Sequence, residues 1–297
     1  MTAQAQARLL ADGRRLHLHH GPIDLIVEAF AETAERAAAY RRITARFATV
    51  LEELVAELTE LRRLATATPR AFDGPAARRM EQAVCPLSTD FITPMAAVAG
   101  AVADETLAAL VAGGDIARAY VNDGGDIAIH LAPGQSIRAA VAGTGNGFAD
   151  RLVVHAADPV RGIATSGWRG RSHSFGIADA VTVLARTAAE ADAAATIVAN
   201  AVDLPGHAAV TRVPACSLSP DSDLGDRLVT YRVGALSRAE IAEALDRGLA
   251  VAERLRRAGL IEAAALFLGG GVRLCGGPRL VPATDIAETS KGVTVHA

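Results

Sequence analysis

At 297 residues, with 51% hydrophobic and 21% charged side chains, the chain is long enough to bury a substantial core and has the balance of a folded globular protein. A net charge of −3 and only 4% aromatic residues argue against a nucleic-acid partner, which would call for a basic surface and stacking rings. Cys85, Cys216 and Cys275 stand far apart with no CxxC pair, which fits a reducing compartment with neither a disulfide framework nor a zinc knot.

The opening MTAQAQARLLADGRRLHLHH lacks a basic start followed by a long apolar run, so it does not read as a signal peptide. No stretch is read as reaching the ~18 apolar residues of a membrane span, and the expectation is a cytoplasmic protein with no membrane partner.

Arg14 to His19 and Ile23 to Glu28 predict two short strands around His20-Gly21-Pro22. His17-Leu18-His19-His20 then resembles a metal tag at the strand end, or else His17 and His19 just share a solvent face. From about Ala31 to Leu64, Phe47, Val50, Leu51, Leu54, Val55, Leu58 and Leu61 recur at helical spacing, until Pro69 and Asp73-Gly74-Pro75 break the pattern. Ala76 to Val84 predicts a short helix, and Pro94 opens another that runs to about Ala112 and stops at Gly113-Gly114.

Strand texture follows. Ala117 to Val121 meets Ile127 to Leu131 across Asn122-Asp123-Gly124-Gly125, residues that tolerate positive φ. Ser136 to Gly143 and Arg151 to Ala156 flank a Thr144-Gly145-Asn146-Gly147 loop. Ile163 and Asp179 to Leu184 continue the β series, and Thr187 to Asn200 is helical. Pro205 to Asp226 reads as a long polar connection without a period. Arg227 to Val233 is a strand, Ser237 opens a helix over Arg238 to Arg257 with Ser-Arg-Ala-Glu as a capping box, and Ala263 to Leu268 with Gly271 to Leu274 forms a last hairpin. A helix-rich lobe over about 30–115 and a β/α lobe over about 116–275 make the fold class α+β, with mixed β-sheets and packed helices in one two-lobed domain spanning 1–297.

The chemistry concentrates between Gly162 and Asn200. Thr165-Ser166-Gly167 with Arg169 and Arg171 forms a small-residue turn rich in groups that favour phosphate oxygens, or else a polar loop with solvated arginines. Asp192 and Thr196, four apart on a predicted helix, present hard oxygens to one point and suit Mg²⁺ completed by a carbonyl, water and substrate phosphate. The alternative leaves Asp192 in water and Thr196 bonded back to its helix. Paired Gly124 and Gly125 would let a ligand approach the backbone beside Asn122 and Asp126, unless the segment is only a tight turn. His173 can shuttle a proton near neutral pH, or it is a surface side chain. Leu268-Gly269-Gly270-Gly271 is not followed by a helix, so it is no dinucleotide fingerprint, and GxSxG, HExxH and Walker motifs are absent.

Val121-Asn122-Asp123-Gly124-Gly125-Asp126-Ile127, Ala164-Thr165-Ser166-Gly167, His173, Val181-Thr182-Val183 and Ala191-Asp192-Ala193-Ala194-Ala195-Thr196 stand in the order that resembles ApbE-type flavin transferases. Across the whole chain, Leu16-His17-Leu18 through Gly21-Pro22-Ile23-Asp24 and Ser172-His173-Ser174-Phe175-Gly176 through Ala178-Asp179-Ala180 resemble the short ApbE-like prokaryotic branch of the FAD:protein FMN transferase superfamily. That resemblance implies an ApbE-like, T-fold-related architecture with FAD as substrate or ligand and Mg²⁺ as cofactor. It implies FMN transfer to a hydroxyl of an acceptor flavoprotein, or FAD cleavage to FMN and AMP.

By the same resemblance Asp192 and Thr196 are metal ligands with a carbonyl near Ala99, and Asn122, Gly124, Gly125, Thr165, Ser166, Gly167 and His173 line the flavin site. On the reading of the residues, Asp126, Arg169 and Arg171 join the nucleotide-binding set, and His173 and Asp192 are the expected catalytic residues. The transferases carry a lysine-glycine step where this chain has Ala99-Gly100, and their His-x-x-Asp-Pro run is replaced by His173 to Asp179. These departures support an alternative, a non-catalytic flavin- or nucleotide-binding accessory protein.

Overall fold

The computed structural model describes residues 4–140, 151–277, 280–281 and 294–296. The elements in order are β1 (Gln6–Leu9), β2 (Leu16–His20), β3 (Ile23–Phe30), α1 (Thr33–Ala56), α2 (Leu58–Leu61), α3 (Pro75–Val84), α4 (Val98–Val111), β4 (Arg118–Asp123) and β5 (Asp126–Leu131). Then come β6 (Ser136–Ala140), β7 (Arg151–His155), β8 (Gly162–Ser166), β9 (Ala180–Ala185), α5 (Ala188–Ala201), β10 (Val210–Pro214), α6 (Ala215–Leu218) and β11 (Leu228–Val233). The last are α7 (Arg238–Arg257), β12 (Ala263–Leu268), β13 (Gly271–Cys275), β14 (Leu280–Val281) and β15 (Thr294–His296).

Nine strands form one sheet in the order β1-β2-β3-β4-β5-β8-β9-β12-β13, every neighbouring pair antiparallel. The sheet therefore runs through both halves of the chain. Its helical side packs on α1, α4, α5 and α7, where α1 buries Ala39, Tyr40, Ile43, Phe47, Val50 and Leu54 at helical spacing. On the other face a second core joins Ile127, Ile129 and Phe267 to Ile137, Leu152 and Val154 of a small sheet ordered β14-β7-β6-β15. Strands β9 and β12, covered on both sides, are buried along their whole length, which explains a sequence that is apolar throughout except for Thr182.

The fold class is the expected α+β mixture, and most elements fall where the pattern puts them. The Ser237 capping box is formed, its side chain accepting from the Glu240 amide while Glu240 accepts from the Ser237 amide. His17 Nε2 and His19 Nδ1 meet the Asp24 carboxylate at 3.1 and 3.3 Å on one face of the β2–β3 hairpin.

Four readings change. Thr165 and Ser166 are not in a turn but end β8, where the Thr165 hydroxyl faces the hydroxyl of its cross-strand neighbour Thr182. Within the supposed polar connection, Val210–Pro214 pairs antiparallel with β11 across a register shift at Thr211/Arg212, an irregularity that hides the two-residue period. The long helix expected to Leu64 stops at Ala56 and resumes as a single turn. The stretch Pro94–Val111, mean hydropathy 1.4, is long and apolar enough by composition to cross a membrane, contrary to the expectation that no segment qualifies; here it packs against α1, α3 and α5. The Thr144-Gly145-Asn146-Gly147 loop and most of the chain from Pro278 lie outside the described residues.

Helices α4 and α5 meet with almost no side chain between them. A Cβ on Gly100 would lie 2.3 Å from the carbonyl oxygen of Ala188, so only glycine permits the approach. The two helices then bind each other's backbone. Asp104 on α4 accepts from the Ala188 and Ala189 amides that open α5, at 3.1 and 2.9 Å, and Asp192 on α5 accepts from the Gly100 amide at 3.1 Å. Gly100→Ala is expected to destabilise the protein by about 1–3 kcal/mol through overpacking, measured by chemical denaturation; an unchanged denaturation midpoint would show that the helices can separate freely.

Candidate functional site

Helix α5 is buried on nearly every side by alanine, including Ala189, Ala191, Ala193, Ala194 and Ala195. Its partly open stripe is Asp192, Thr196 and Asn200, four residues apart and so on one face. All three line a cavity of about 530 Å³. The walls around them are the β4–β5 turn, the end of β8, the loop from Gly167 to Asp179, Phe91 to Thr93 ahead of α4, and Ser219 to Leu224 after α6.

The β4–β5 connection is a two-residue loop with Asp123 and Asp126 paired across its base. Gly124 has φ +64°, which favours glycine, and the Arg171 guanidinium lies so close over it that a Cβ there would sit 2.2 Å away and push that side chain aside. Arg171 thus lies over the turn and brings the arginine loop and the glycine pair into one site.

Of the residues expected to bind the nucleotide, Gly124, Asp126, Thr165, Ser166, Gly167 and Arg171 all line the cavity, as do Asp192, Thr196 and His173. Asn122 and Gly125 shape the turn instead, the Asn122 side chain accepting from the Gly125 amide at 2.8 Å. Arg169 is exposed, paired with Asp179 and lying over the Trp168 ring at 4.9 Å, outside the cavity wall. Asp126 accepts from the Thr165 amide at 3.2 Å and ties the turn to β8. His173 Nε2 is 3.1 Å from the Ser219 hydroxyl.

Carboxylates dominate the electrostatics. Burial raises Asp192 to about 7; the Gly100 amide pulls it down, Asp123 pushes it further up, and the Ala99 amide and Asp104 act in the same two senses. Asp123 is also raised to about 7 by burial, partly relieved by Arg171. Asp126 is pushed well above the ordinary carboxylate range by burial and by the charges of Asp192 and Asp123. Three acids thus share one region with a single guanidinium.

Among the described residues no three His, Cys, Asp or Glu side chains form a ready cation cage. A bound cation would need a mixed set: the Asp192 carboxylate, the Thr196 hydroxyl, a carbonyl near Ala99, water and ligand oxygens. That donor set is all hard oxygen and suits Mg²⁺, which seldom uses an all-protein cage. Asp192 fits such an ion for a second reason. Its carboxylate meets backbone amides and other acids, and no cationic side chain dominates its ionisation.

Several lining residues escaped the sequence reading. Asn200 sits one further turn along the Asp192–Thr196 stripe, a spacing that points to it, and its side-chain oxygen accepts from the Ser174 hydroxyl and the Phe175 amide. Asp221, Ser222 and Asp223 carry no periodic signal; they are brought in by the folding of β10, α6 and β11, and Asp223 accepts from the Thr93 hydroxyl.

The profile of a family described as AbpE bacteria matches residues 7–274. Among curated relatives, the UPF0280 protein of Methanothrix thermoacetophila is 42% identical over 122 residues, 40% of this chain and 50% of that protein. The UPF0280 protein of Methanocaldococcus jannaschii is 43% identical over 116 residues, 37% of this chain and 45% of that one. The chain thus spans about half the length of the curated relatives it matches. Among solved structures it aligns with the apo flavinyl transferase ApbE of Pseudomonas stutzeri at 12% identity and TM-score 0.43, covering 95% of this chain and 97% of that one. It aligns with a mutant flavin transferase ApbE of Vibrio cholerae at 12% identity and TM-score 0.47, covering 91% and 96%.

The raised acids set a pH dependence. A carboxyl with a folded value near 7 and an unfolded value of 3.8 contributes stability that is complete below about pH 4 and is lost as pH rises through about 7. Metal-free Asp192→Asn is therefore expected to melt higher than the wild type at about pH 8, with the difference shrinking towards about pH 4. Thermal melts of both proteins across that range check it, and a pH-independent difference would contradict the assignment.

Proposed function

The chain belongs to the AbpE bacteria family, and on that premise we propose that it is a Mg²⁺-dependent enzyme acting on FAD, transferring FMN to a protein hydroxyl or cleaving FAD to FMN and AMP. The substrate class rests on the resemblance of the Val121–Ile127, Ala164–Gly167 and Ala191–Thr196 segments to flavin transferases. The observation that carries the chemistry is the half-buried Asp192–Thr196 stripe of α5, which lines a cavity that Arg171 and His173 also line.

A diphosphate would enter this cavity poorly by itself. Asp123, Asp126, Asp179, Asp192, Asp221 and Asp223 line it against Arg171 and His173. Like charges in a partly desolvated site repel strongly, so an anionic ligand needs a cation to accompany it. Asp192 and Thr196 would hold the Mg²⁺, which would supply charge stabilisation at the phosphoryl oxygens. The remaining tasks fall to side chains. Arg171 pairs with a phosphate oxygen that the acids would otherwise repel. His173, held by Ser219, takes the proton of the attacking hydroxyl or delivers it to the leaving AMP. The bond between the FMN phosphorus and the bridging oxygen breaks, a bond from that phosphorus to the acceptor oxygen forms, and AMP departs.

Incubation with FAD, with and without Mg²⁺, followed by mass analysis of nucleotide and protein, tests this reading. AMP is expected only with the metal, and Asp192→Asn is expected to lower its release by about 100-fold or more, the scale of losing one preorganised charge-stabilising group. Tight FAD binding without AMP release would instead favour the non-catalytic accessory protein.

A further inference from the structure

Among the described phenylalanines, Phe47, Phe72 and Phe267 are buried and Phe30 packs half-buried against the second core. Phe91 and Phe175 are half-buried and both line the cavity, with ring centroids 5.7 Å apart and planes at 65°. Leaving two rings on a cavity wall forgoes apolar burial that the core would have rewarded, so an occupant that covers them recovers it.

The pair is held in place from behind. The Arg227 guanidinium lies 3.6 Å from the Phe91 centroid and covers one face of that ring. The Phe175 amide donates to the Asn200 side chain at 2.9 Å, and its carbonyl accepts from the Thr230 hydroxyl at 3.4 Å. Such anchoring lowers the ordering cost of a ligand that stacks there.

The anchor also sets the distance from the metal end. Asn200 follows Asp192 by eight residues on one straight stripe of α5, about 12 Å along the axis. A ligand with phosphates at Asp192 and a sugar or ribityl arm along the cavity would bring its ring to Phe175. Asp223 stands on the same wall, bonded to Thr93, and offers an acceptor to ring N–H groups.

We propose that Phe91 and Phe175 form the ring subsite of the cavity, stacking a planar nitrogen heterocycle of the nucleotide whose diphosphate sits at Asp192 and Thr196. This rests on the FAD reading above. It names the residues that choose an aromatic nucleotide over a bare diphosphate. Either the flavin or the adenine of FAD has the needed chemistry.

Equilibrium binding of magnesium pyrophosphate, Mg-ADP, FMN and Mg-FAD to wild type, Phe91→Leu, Phe175→Leu and Phe175→Tyr tests it, with thermal melts confirming that each variant folds. Both leucine variants are expected to bind Mg-FAD about tenfold or more weakly, in line with the loss of a stacking ring, while magnesium pyrophosphate affinity stays as in wild type. The tyrosine variant keeps a ring and is expected to retain Mg-FAD affinity. Of ADP and FMN, the one whose affinity falls with Phe175→Leu identifies the stacked ring. In the wild type itself, that ring's absorption band is expected to weaken on binding, a readout that needs no variant.

Wild-type FAD binding that survives both leucine substitutions, with no change in either band, overturns the ring subsite and leaves the FAD reading standing. Binding of ADP but not FAD, lost in the leucine variants, overturns the FAD reading and keeps the subsite. A wild type that binds none of the four overturns both.

Discussion

The site depends on how closely two helices approach. At Gly100 the backbone of α4 touches the carbonyl of Ala188, and this contact places an amide of α4 within reach of the Asp192 carboxylate on α5. Asp104 answers from the opposite side, holding the first amides of α5. Each helix therefore fixes the other through its main chain, and the direction of the Asp192–Thr196–Asn200 stripe follows from that clasp. Main-chain donors hold the carboxylate without neutralising it. A lysine or arginine bonded to Asp192 would compete with a cation for its charge.

That unneutralised charge shapes the cavity. Arg171 relieves Asp123 and leans on Asp126, yet the acids still outnumber the bases that line the space. Such an arrangement strains the empty protein, because buried carboxyls are either protonated at a raised pKa or ionised among like charges. Function commonly occupies places where a fold tolerates this kind of conflict. Asp179 shows the contrast. It sits in the same wall but is satisfied by Arg169 and by the Gly269 amide at 2.7 Å, and so holds the loop in place instead of waiting for a ligand.

What could be read from the sequence was what depends on local period or local turn chemistry. The glycine pair at 124–125, the capping box at Ser237 and the Asp192–Thr196 spacing are all of this kind, and the structure puts Gly124, Asp192 and Thr196 in one cavity wall. What could not be read depends on contacts distant in sequence. Arg169 and Arg171 are equivalent as letters, but Asp179 claims the first and the approach over Gly124 selects the second. The bulge at Thr211/Arg212 disguised β10, and with it the return of Ser219 to Leu224 to the cavity. Phe91 and Phe175 are 84 positions apart, and neither lies in a pattern that names the other.

The alanine-rich composition of α4 and α5 is part of the same logic. Alanine gives a helix its strength without projecting side chains, so two such helices can come close enough for side-chain-to-backbone bonds. Where the flavin transferases it resembles carry a lysine-glycine step, this chain keeps the glycine and substitutes Ala99. The sequence holds one lysine in all, Lys291, so among side chains the cavity's positive charge comes from arginine and histidine. Arginine stays protonated at any working pH and cannot exchange a proton in a reaction. In the proposed reaction, proton transfer would fall to the imidazole of His173, and charge balance at Asp192 to a cation. No lysine stands at residue 99 to offset the Asp192 carboxylate, whose ionisation is set by backbone amides and neighbouring acids.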